Sequence, residues 1–282
     1  MPRLSELKYK YITQLTNSKI EREEAIAEFE LVVKKCCGFS AKDILMDKNV
    51  TPEEEKRIER IIHERIETKK PVQRILGEAH FMGDEYLINE HTLIPRPETE
   101  LLVAEAVKIL KTMKNPTVLD IGTGTGCIAC AVAKNCSAEV IGVDISTDAL
   151  QVALKNADRL DVIKKAMFRK SDIFSNVSEK FDIIVSNPPY IPRQNKAELQ
   201  PEVRDFEPEM ALFTDDEDGL EYYKNIISKA PKHLNHKGYL LFELGAGQAD
   251  SVKKLLIKHG FNIINTVKDF QNIERVVVAQ IN

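Results

Sequence analysis

The sequence predicts an α/β protein, in which a small helical bundle precedes a doubly wound, largely parallel sheet with an antiparallel hairpin at one edge. From Thr117 onward, short apolar, β-prone runs alternate with helical patterns, which is typical of a parallel sheet. Residues 1 to about 75 instead carry apolar side chains at helical spacing. Because no helical pattern separates the last two predicted strands, 262–267 and 275–280, we expect them to form the edge hairpin.

The first 75 residues predict a bundle of helices. The third helix has an explicit start, with Thr51 as the N-cap, Pro52 in the first position and Glu54 completing a capping box. This region has no titratable cluster that suggests catalysis, so we interpret it as a substrate-recognition domain or a cover for the rest of the chain. The apolar stripes of the three helices consist of Leu4, Leu7, Tyr11 and Leu15, of Ala25, Phe29, Val32 and Val33, and of Ile58, Ile61, Ile62 and Ile66.

Residues 76–95 are predicted to form a hairpin or an extended linker. Two apolar runs, 81–83 and 86–88, flank a turn in this segment. The stretch 94–100 (IPRPETE) then precedes an amphipathic helix that extends to about Leu110. We therefore expect the domain that contains the sheet to span residues 96–282.

A glycine-rich loop at residues 122–126 follows the predicted strand 117–121 and precedes a small, apolar helix, 127–133. In this arrangement, backbone N–H groups and a helix N-terminus face a ligand. A dinucleotide fingerprint requires glycine or alanine where this chain has Cys127. The pattern from Asp120 through Gly122, Gly124 and Gly126 instead resembles the nucleotide loop of S-adenosylmethionine-dependent methyltransferases. We expect Asp120 and the loop, including Thr123 and Thr125, to line the methionine and ribose part of that cofactor.

Two further aspartates follow the next predicted strands. Asp144 ends the strand 139–143, where it can accept hydrogen bonds from both ribose hydroxyls. Asp172 follows the strand 166–170 and can accept from the adenine amine, or it can be an N-cap or turn aspartate. Ile173 is expected to form an apolar wall of the adenine slot. Because ligands of such sheets bind at the carboxyl ends of strands, these residues and Asn187 predict a single pocket.

The stretch Asn187-Pro188-Pro189-Tyr190 suits the task of holding a planar NH2 group in line with an electrophilic methyl. The Asn187 side-chain oxygen and the Pro188 backbone carbonyl can each accept one of the two N–H bonds. The two prolines fix φ and supply no competing N–H. Tyr190 offers a flat face for stacking. The alternative interpretation is a proline-rich turn that closes the predicted strand 181–186.

Composition restricts the class of protein. The chain has 282 residues, of which 43% are hydrophobic and 30% charged, enough for one large domain or two ordinary ones. A net charge of −4 argues against a broad electrostatic grip on nucleic-acid phosphates. No run approaches the ~20 apolar residues of a membrane span, and no signal-peptide core is recognisable. We therefore expect a cytoplasmic protein.

The five cysteines and six histidines predict no metal site. Cys127 and Cys130 form a C-x-x-C on the apolar helix behind the glycine loop, but no second pair with zinc-finger spacing accompanies them. We interpret them as small core residues. Cys36 and Cys37 are adjacent in sequence, and adjacent cysteines rarely pair with each other.

Taken together, the motifs resemble those of the protein-(glutamine-N5) methyltransferases that modify peptide chain release factors, the HemK/PrmC group. The resemblance covers essentially the whole chain. Its motifs are 94–100 (IPRPETE), 120–126 (DIGTGTG), 186–192 (SNPPYIP), 206–208 (FEP), 218–220 (DGL) and 241–248 (LFELGAGQ).

The resemblance implies a Rossmann-like class I methyltransferase domain that transfers a methyl group from S-adenosylmethionine, releasing S-adenosylhomocysteine. The acceptor would be the glutamine of a Gly-Gly-Gln motif in class 1 release factors, which the helical domain would grip away from the site. Asn187, Pro188 and Tyr190 would be catalytic, and Pro189 and Arg96 would help bind the substrate. Arg96 and Glu98 would hold the active-site loops or the peptide, or form a salt bridge at the helix start.

Two departures from the family pattern occur. A glycine usually stands between Asp and Arg near the C-terminus, whereas 269–275 (DFQNIER) has none. Glycines often precede the Asp-Gly pair at 218–219, where this chain has 215–217 (DDE). Both departures affect loop conformation and leave the proposed chemistry intact.

Alternative functions share the same nucleophile type. Asn-Pro-Pro-Tyr also occurs in adenine-N6 and cytosine-N4 DNA methyltransferases, so an adenine-N6 methyltransferase of DNA or RNA is one alternative. That function would need a basic and aromatic recognition surface, and residues 1–75 show no such concentration. A methyltransferase of a ribosomal-protein glutamine is nearer in chemistry. A catalytically silent binding module is a further alternative, against which the intact motifs argue. We expect no membrane partner and no direct binding of nucleic acid.

Overall fold

The computed structural model describes residues 1–282, which separate into two units. The first unit contains residues 1–77 together with residues 201–206. The second unit contains residues 78–200 and 207–282. Residues 201–206 lie far along the chain from the helical region that the sequence predicted, and their grouping with it was not anticipated.

The first unit is a helical bundle, as predicted. Its core is formed by the predicted apolar stripes of the three long helices, and the rings of Tyr11 and Phe29 stack inside it. The predicted capping box is present: Thr51 accepts from the Glu54 N–H, and the Glu54 carboxylate accepts from the Thr51 N–H. The helices are α1 (Leu4–Asn17), α2 (Arg22–Cys37), α3 (Ala41–Leu45), α4 (Pro52–Thr68) and α5 (Val72–Leu76).

A buried arginine joins three parts of this unit. Arg65 of α4 is only 1% exposed, and its Nε lies 2.9 Å from the Glu28 carboxylate of α2. Its Nη1 donates to Glu202 of the 201–206 segment at 3.1 Å. Removing charges from water is costly, so a buried guanidinium persists only with such partners. The residue lies beside the apolar stripe of α4, where the helical pattern gave no signal for it.

The second unit is built on a seven-stranded sheet. Its strands are β3 (Thr117–Ile121), β4 (Glu139–Asp144), β5 (Ala166–Lys170), β6 (Phe181–Ser186), β9 (Leu234–Glu243), β10 (Phe261–Lys268) and β11 (Glu274–Ile281). Their order across the sheet is β10-β11-β9-β6-β3-β4-β5. Strands β9, β6, β3, β4 and β5 are mutually parallel, whereas β11 is antiparallel to both β9 and β10. The predicted doubly wound sheet with an antiparallel edge hairpin is therefore confirmed.

Two small two-stranded sheets accompany the large one. The predicted hairpin of the linker is antiparallel, and Met82 and Gly83 at its turn both have positive φ. The other small sheet is parallel. Their strands are β1 (Glu78–Phe81) with β2 (Asp84–Leu87), and β7 (Ile191–Pro192) with β8 (Phe213–Thr214).

Both faces of the large sheet are covered by helices, which explains why its central strands are apolar on both sides. Successive residues of β3 point to opposite faces of the sheet, so Val118 and Leu119 belong to two different core clusters. One cluster includes α6 (Pro97–Leu110) and α7 (Cys127–Asn135), and the other includes α11 (Glu221–His233) and α12 (Ala249–Lys258). The remaining helices are α8 (Thr147–Arg159), α9 (Pro201–Arg204, in the first unit) and α10 (Glu209–Leu212), with a 3₁₀ helix at Arg193–Glu198.

All five cysteines are free. Cys127 and Cys130 are buried in α7, and burial raises the pKa of the Cys127 thiol to about 12. A thiol with such a pKa is a poor nucleophile and a poor metal ligand at neutral pH. No group of three or more His, Cys, Asp or Glu side chains is arranged to hold a metal ion. None of the helices is long and apolar enough to cross a membrane.

Candidate active site

A cavity of about 230 Å³ lies at the carboxyl ends of the central strands, within the second unit. This is the edge of the sheet where parallel α/β folds bind ligands. Most of the side chains predicted from the sequence line it. They are Arg96, Gly122, Thr123, Gly124, Thr125, Asp144, Asp172, Ile173, Asn187, Pro188 and Pro189.

Three predicted residues do not line this cavity. Asp120 is fully buried beneath the loop, where its Oδ2 accepts from the Thr123 hydroxyl at 2.6 Å. Gly126 is buried and tightly packed, since a Cβ added there would lie 2.9 Å from the Cβ of Ala153. Tyr190 packs beside Gly245, and burial raises the pKa of its hydroxyl to about 12. The roles assigned to these residues stay predictions.

The glycine loop adopts the conformation that its three glycines allow. Gly122, Gly124 and Gly126 have φ of +73°, +54° and +75°, a region that other residues rarely enter. The N–H groups of Gly122 and Thr123 both donate to the Val143 carbonyl, at 2.9 and 3.0 Å. These contacts fix the loop to the end of β4, so its position depends on the neighbouring strand.

Asp144 sits where β4 ends and is held by backbone donors. Its Oδ2 accepts from the Gly124 N–H and its Oδ1 from the Ser146 N–H, both at 2.9 Å. Burial raises the pKa of Asp144, while these N–H groups oppose that shift. Each carboxylate oxygen retains a second lone pair for a ligand. A Cβ built on Gly122 would meet nothing within 4 Å, so open space lies beside the loop.

These features fit the nucleoside part of a cofactor such as S-adenosylmethionine. The carboxylate of Asp144 is an acceptor suited to ribose hydroxyls, and the apolar side chains of Ile145 and Ile173 lie in the same cavity wall. Asp172 is exposed and also lines the cavity, beside Ile173, whose φ is +51°.

Asn187 follows β6, which is secured to β3 by a hydrogen bond from the Ser186 hydroxyl to the Ile121 carbonyl at 2.8 Å. The Asn187 Nδ2 donates to the Thr99 hydroxyl oxygen at 3.2 Å. Thr99 Oγ1 in turn donates to the buried carboxylate of Glu243 at 2.5 Å. Since the amide nitrogen of Asn187 is occupied in this way, its Oδ1 remains the acceptor available to a ligand.

Arg96 stands at the start of α6 and forms a salt bridge with Glu207. Its Nη2 lies 2.8 Å from the fully buried side chain of Glu207, whose other oxygen accepts from the Ile94 N–H at 3.2 Å. Arg96 therefore fastens the segment that follows residue 206 to the start of α6. The two hydrogen bonds to Glu207, one from Arg96 and one from the Ile94 N–H, are consistent with the predicted role of Arg96 in holding active-site loops.

Several residues important to this arrangement were not identified from the sequence. Thr99 and Glu243 lie inside the motif stretches 94–100 and 241–248. Their position as polar residues within these motifs was the signal that could have identified them. Asn156 of α8 is fully buried, and its Nδ2 donates to the Thr125 carbonyl at 2.9 Å, supporting the loop from below. Nothing in the helical pattern of α8 distinguished it.

The fold and the cavity define the chain as a methyltransferase domain with a helical N-terminal domain. Residues 98–202 match the methyltransferase small domain family, and residues 10–77 match the PrmC N-terminal domain family. Among solved structures, a methyltransferase from Pyrococcus furiosus matches with a TM-score of 0.53 and 19% identity, over 80% of this chain and 98% of that one. A ribosomal protein L11 methylase from Lactobacillus delbrueckii subsp. bulgaricus matches with a TM-score of 0.51 and 21% identity, over 72% and 90%.

Relatives at higher identity are named release factor glutamine methyltransferase. The protein of Streptococcus pneumoniae is 40% identical over 264 residues, which are 92% of this chain and 93% of the relative. That of Agrobacterium fabrum is 39% identical over 261 residues, 90% of each chain. The chain therefore belongs to the release factor glutamine methyltransferase family.

Proposed function

We propose that this protein transfers the methyl group of S-adenosylmethionine to the side-chain amide nitrogen, N5, of the glutamine in the Gly-Gly-Gln motif of class 1 release factors. The observation that carries the proposal is the position of Asn187. Its amide nitrogen is already hydrogen-bonded, which leaves its oxygen as the acceptor, and Asn187 lines the same cavity as the glycine loop and Asp144. A member of this family needs both an amide clamp and a nucleoside site.

The cofactor would be held by the residues of the loop and the strand ends. Asp144 would accept from the ribose hydroxyls, Ile173 would flank the adenine and Asp172 would accept from its amine. Gly122 and Gly124 leave room beside the loop for the ligand to approach the backbone. When bound, S-adenosylmethionine supplies an electrophilic methyl on a positively charged sulfur.

The protein's contribution to the chemistry is position. An amide nitrogen is weakly nucleophilic because its lone pair is delocalised into the carbonyl. Asn187 Oδ1 and the Pro188 carbonyl would each accept one N–H of the substrate amide and so direct its lone pair. Orientation of this kind can supply on the order of 7–11 kcal/mol in favourable cases. No general base is assigned, because the protonated product amide loses its proton readily to water.

The helical first unit is proposed to bind the release factor. Its composition is mixed in charge, without the basic concentration that a nucleic-acid grip requires. We therefore expect the first unit to bind a protein partner and not a nucleic acid.

The test is methyl transfer from labelled S-adenosylmethionine to a purified class 1 release factor. A release factor whose Gly-Gly-Gln glutamine is changed to alanine serves as the matched substrate control. We expect label on the wild-type factor alone. Label on both factors would place the modification at another residue, and label on neither would refute the proposed substrate.

The enzyme variant for the same assay is Asn187→Ala. Loss of the amide clamp should lower kcat by far more than it weakens binding of the cofactor. Asn225→Ala, an exposed asparagine on α11, is the matched control and should retain full activity. Near-normal turnover by Asn187→Ala would exclude the orientation role of that side chain.

A further inference from the structure

A buried carboxylate lies behind the proposed substrate clamp and has no part in the function described above. Glu243 ends β9, and it is 2% exposed. It forms no salt bridge; its carboxylate accepts from the Thr99 hydroxyl at 2.5 Å. A buried carboxylate is costly to maintain unless it is well satisfied. A residue kept there at such a cost is a candidate for a functional role.

The direction of the hydrogen bonds follows from chemistry. A carboxylate accepts only, so the single hydroxyl proton of Thr99 points to Glu243. The oxygen of Thr99 must then be an acceptor towards Asn187, 3.2 Å away, and Asn187 must present its NH2. The amide oxygen is consequently turned away from Thr99, to where a substrate N–H is to be received.

We propose that Glu243 and Thr99 are positioning residues for methyl transfer, which set the orientation of the Asn187 amide through a two-step hydrogen-bond chain. The proposal rests on the proposed function of Asn187 as an acceptor for the substrate amide. An asparagine amide is nearly symmetric in shape, so packing alone distinguishes its oxygen from its nitrogen poorly. The chain supplies that distinction because only a donor can face the Thr99 oxygen.

Protonation of Glu243 would undo the arrangement. A neutral acid can donate to Thr99, whose own proton is then free to point at Asn187 and to draw the amide oxygen inward. Burial raises the pKa of Glu243 to about 7, so the change falls near neutrality. Glu98 also raises it, whereas Arg275, Arg96 and the Thr99 hydroxyl oppose the shift. The other titratable groups facing Glu243 are Tyr190, Tyr223 and Cys127.

Four variants test the proposal in the release factor assay with saturating cofactor. Glu243→Gln can both donate and accept, so it no longer dictates the direction of the chain. Thr99→Val removes the relay, and Thr99→Ser keeps the hydroxyl. Glu105→Gln is the matched control, because it changes a glutamate of the same unit that accepts a hydrogen bond from Asn265 and takes no part in this hydrogen-bond chain.

We expect the wild-type kcat to rise with pH through about 7, since the ionised form of Glu243 is the productive one. Glu243→Gln and Thr99→Val should lower kcat roughly tenfold, the rate equivalent of one lost hydrogen bond. Both should also lose the pH dependence, and the dissociation constant for S-adenosylmethionine should stay within about threefold of wild type. Thr99→Ser should retain the wild-type rate and pH profile, and Glu105→Gln should leave both unchanged.

Two results would overturn the inference. One is a kcat for Glu243→Gln and Thr99→Val that stays close to wild type. The other is a loss of rate with an unaltered pH profile, which would indicate a merely structural role. Failure of the proposed function is distinguishable from either, because the wild-type enzyme itself would then leave the release factor unlabelled.

Discussion

The glycine loop contains two glycines with nearly the same backbone conformation and different surroundings, which allows a matched test. Gly126 has φ of +75° and Gly122 has φ of +73°. A Cβ on Gly126 would lie 2.9 Å from the Ala153 Cβ and 3.1 Å from both the Ala153 Cα and the Phe168 ring. A Cβ on Gly122 would meet nothing within 4 Å. Both alanine variants therefore have the same backbone strain, but only Gly126→Ala also has a steric clash.

The magnitudes follow from these two terms. A non-glycine residue in the left-handed region costs about 1–2 kcal/mol, which applies to both variants. Overpacking a tight core adds about 1–3 kcal/mol, which applies to Gly126→Ala alone because the backbone of α8 must move. We expect Gly126→Ala to lose about 2–5 kcal/mol of the free energy of unfolding, and Gly122→Ala about 1–2 kcal/mol.

Urea unfolding followed by far-ultraviolet circular dichroism measures both values, and calorimetric titration with S-adenosylmethionine measures affinity. Gly122 lines the cavity, so Gly122→Ala should lose more free energy of cofactor binding than free energy of unfolding. Equal losses of stability in the two variants would refute the reasoning, since backbone strain alone would then explain both. Unchanged cofactor affinity of Gly122→Ala would argue against the loop as the binding surface.

The remaining predictions concern buried charges. Arg65→Leu should lower the free energy of unfolding by about 3–5 kcal/mol, because it leaves Glu28 buried without its partner; urea denaturation measures this loss. Burial raises the pKa of Asp120 from an ordinary 3.8 to about 7, so the folded protein binds this proton more tightly than the unfolded chain does. Its contribution to stability is therefore present below about pH 4 and is lost as the pH rises through 7. Asp120→Asn should remove that slope, so that its stability relative to wild type increases by on the order of 4 kcal/mol between pH 4 and pH 8, measured by thermal or urea unfolding. A constant difference across that range would contradict the assignment.

Local chemistry made much of the fold predictable. Capping boxes and apolar periodicity depend on residues three or four apart, so the start at Thr51 and the stripes of the bundle were visible in the sequence. Strand, glycine loop and helix follow each other directly along the chain, which placed the loop. The rule that ligands bind at the carboxyl ends of parallel strands then predicted that Gly122, Asp144 and Asn187 share one cavity.

The direction of individual side chains was less accessible. Asp120 belongs to the same motif as the loop glycines, yet it is fully buried instead of lining the cavity. Tyr190 follows Asn187 closely, yet its ring packs against Gly245. In both cases the final direction depends on packing against residues elsewhere in the chain, about which local sequence carries no information.

The sequence by itself determined the class of fold, the order of its elements, the family it resembles and the neighbourhood of the site, because these depend on short-range patterns and on general rules of sheet construction. Only the tertiary structure decided which polar groups meet. Asn187 and Thr99 are 88 positions apart, and Thr99 and Glu243 are 144 apart. Residues 201–206 likewise join a unit that begins 200 residues earlier. Such contacts exist only after the sheet has assembled, when strand ends distant in sequence become neighbours in space.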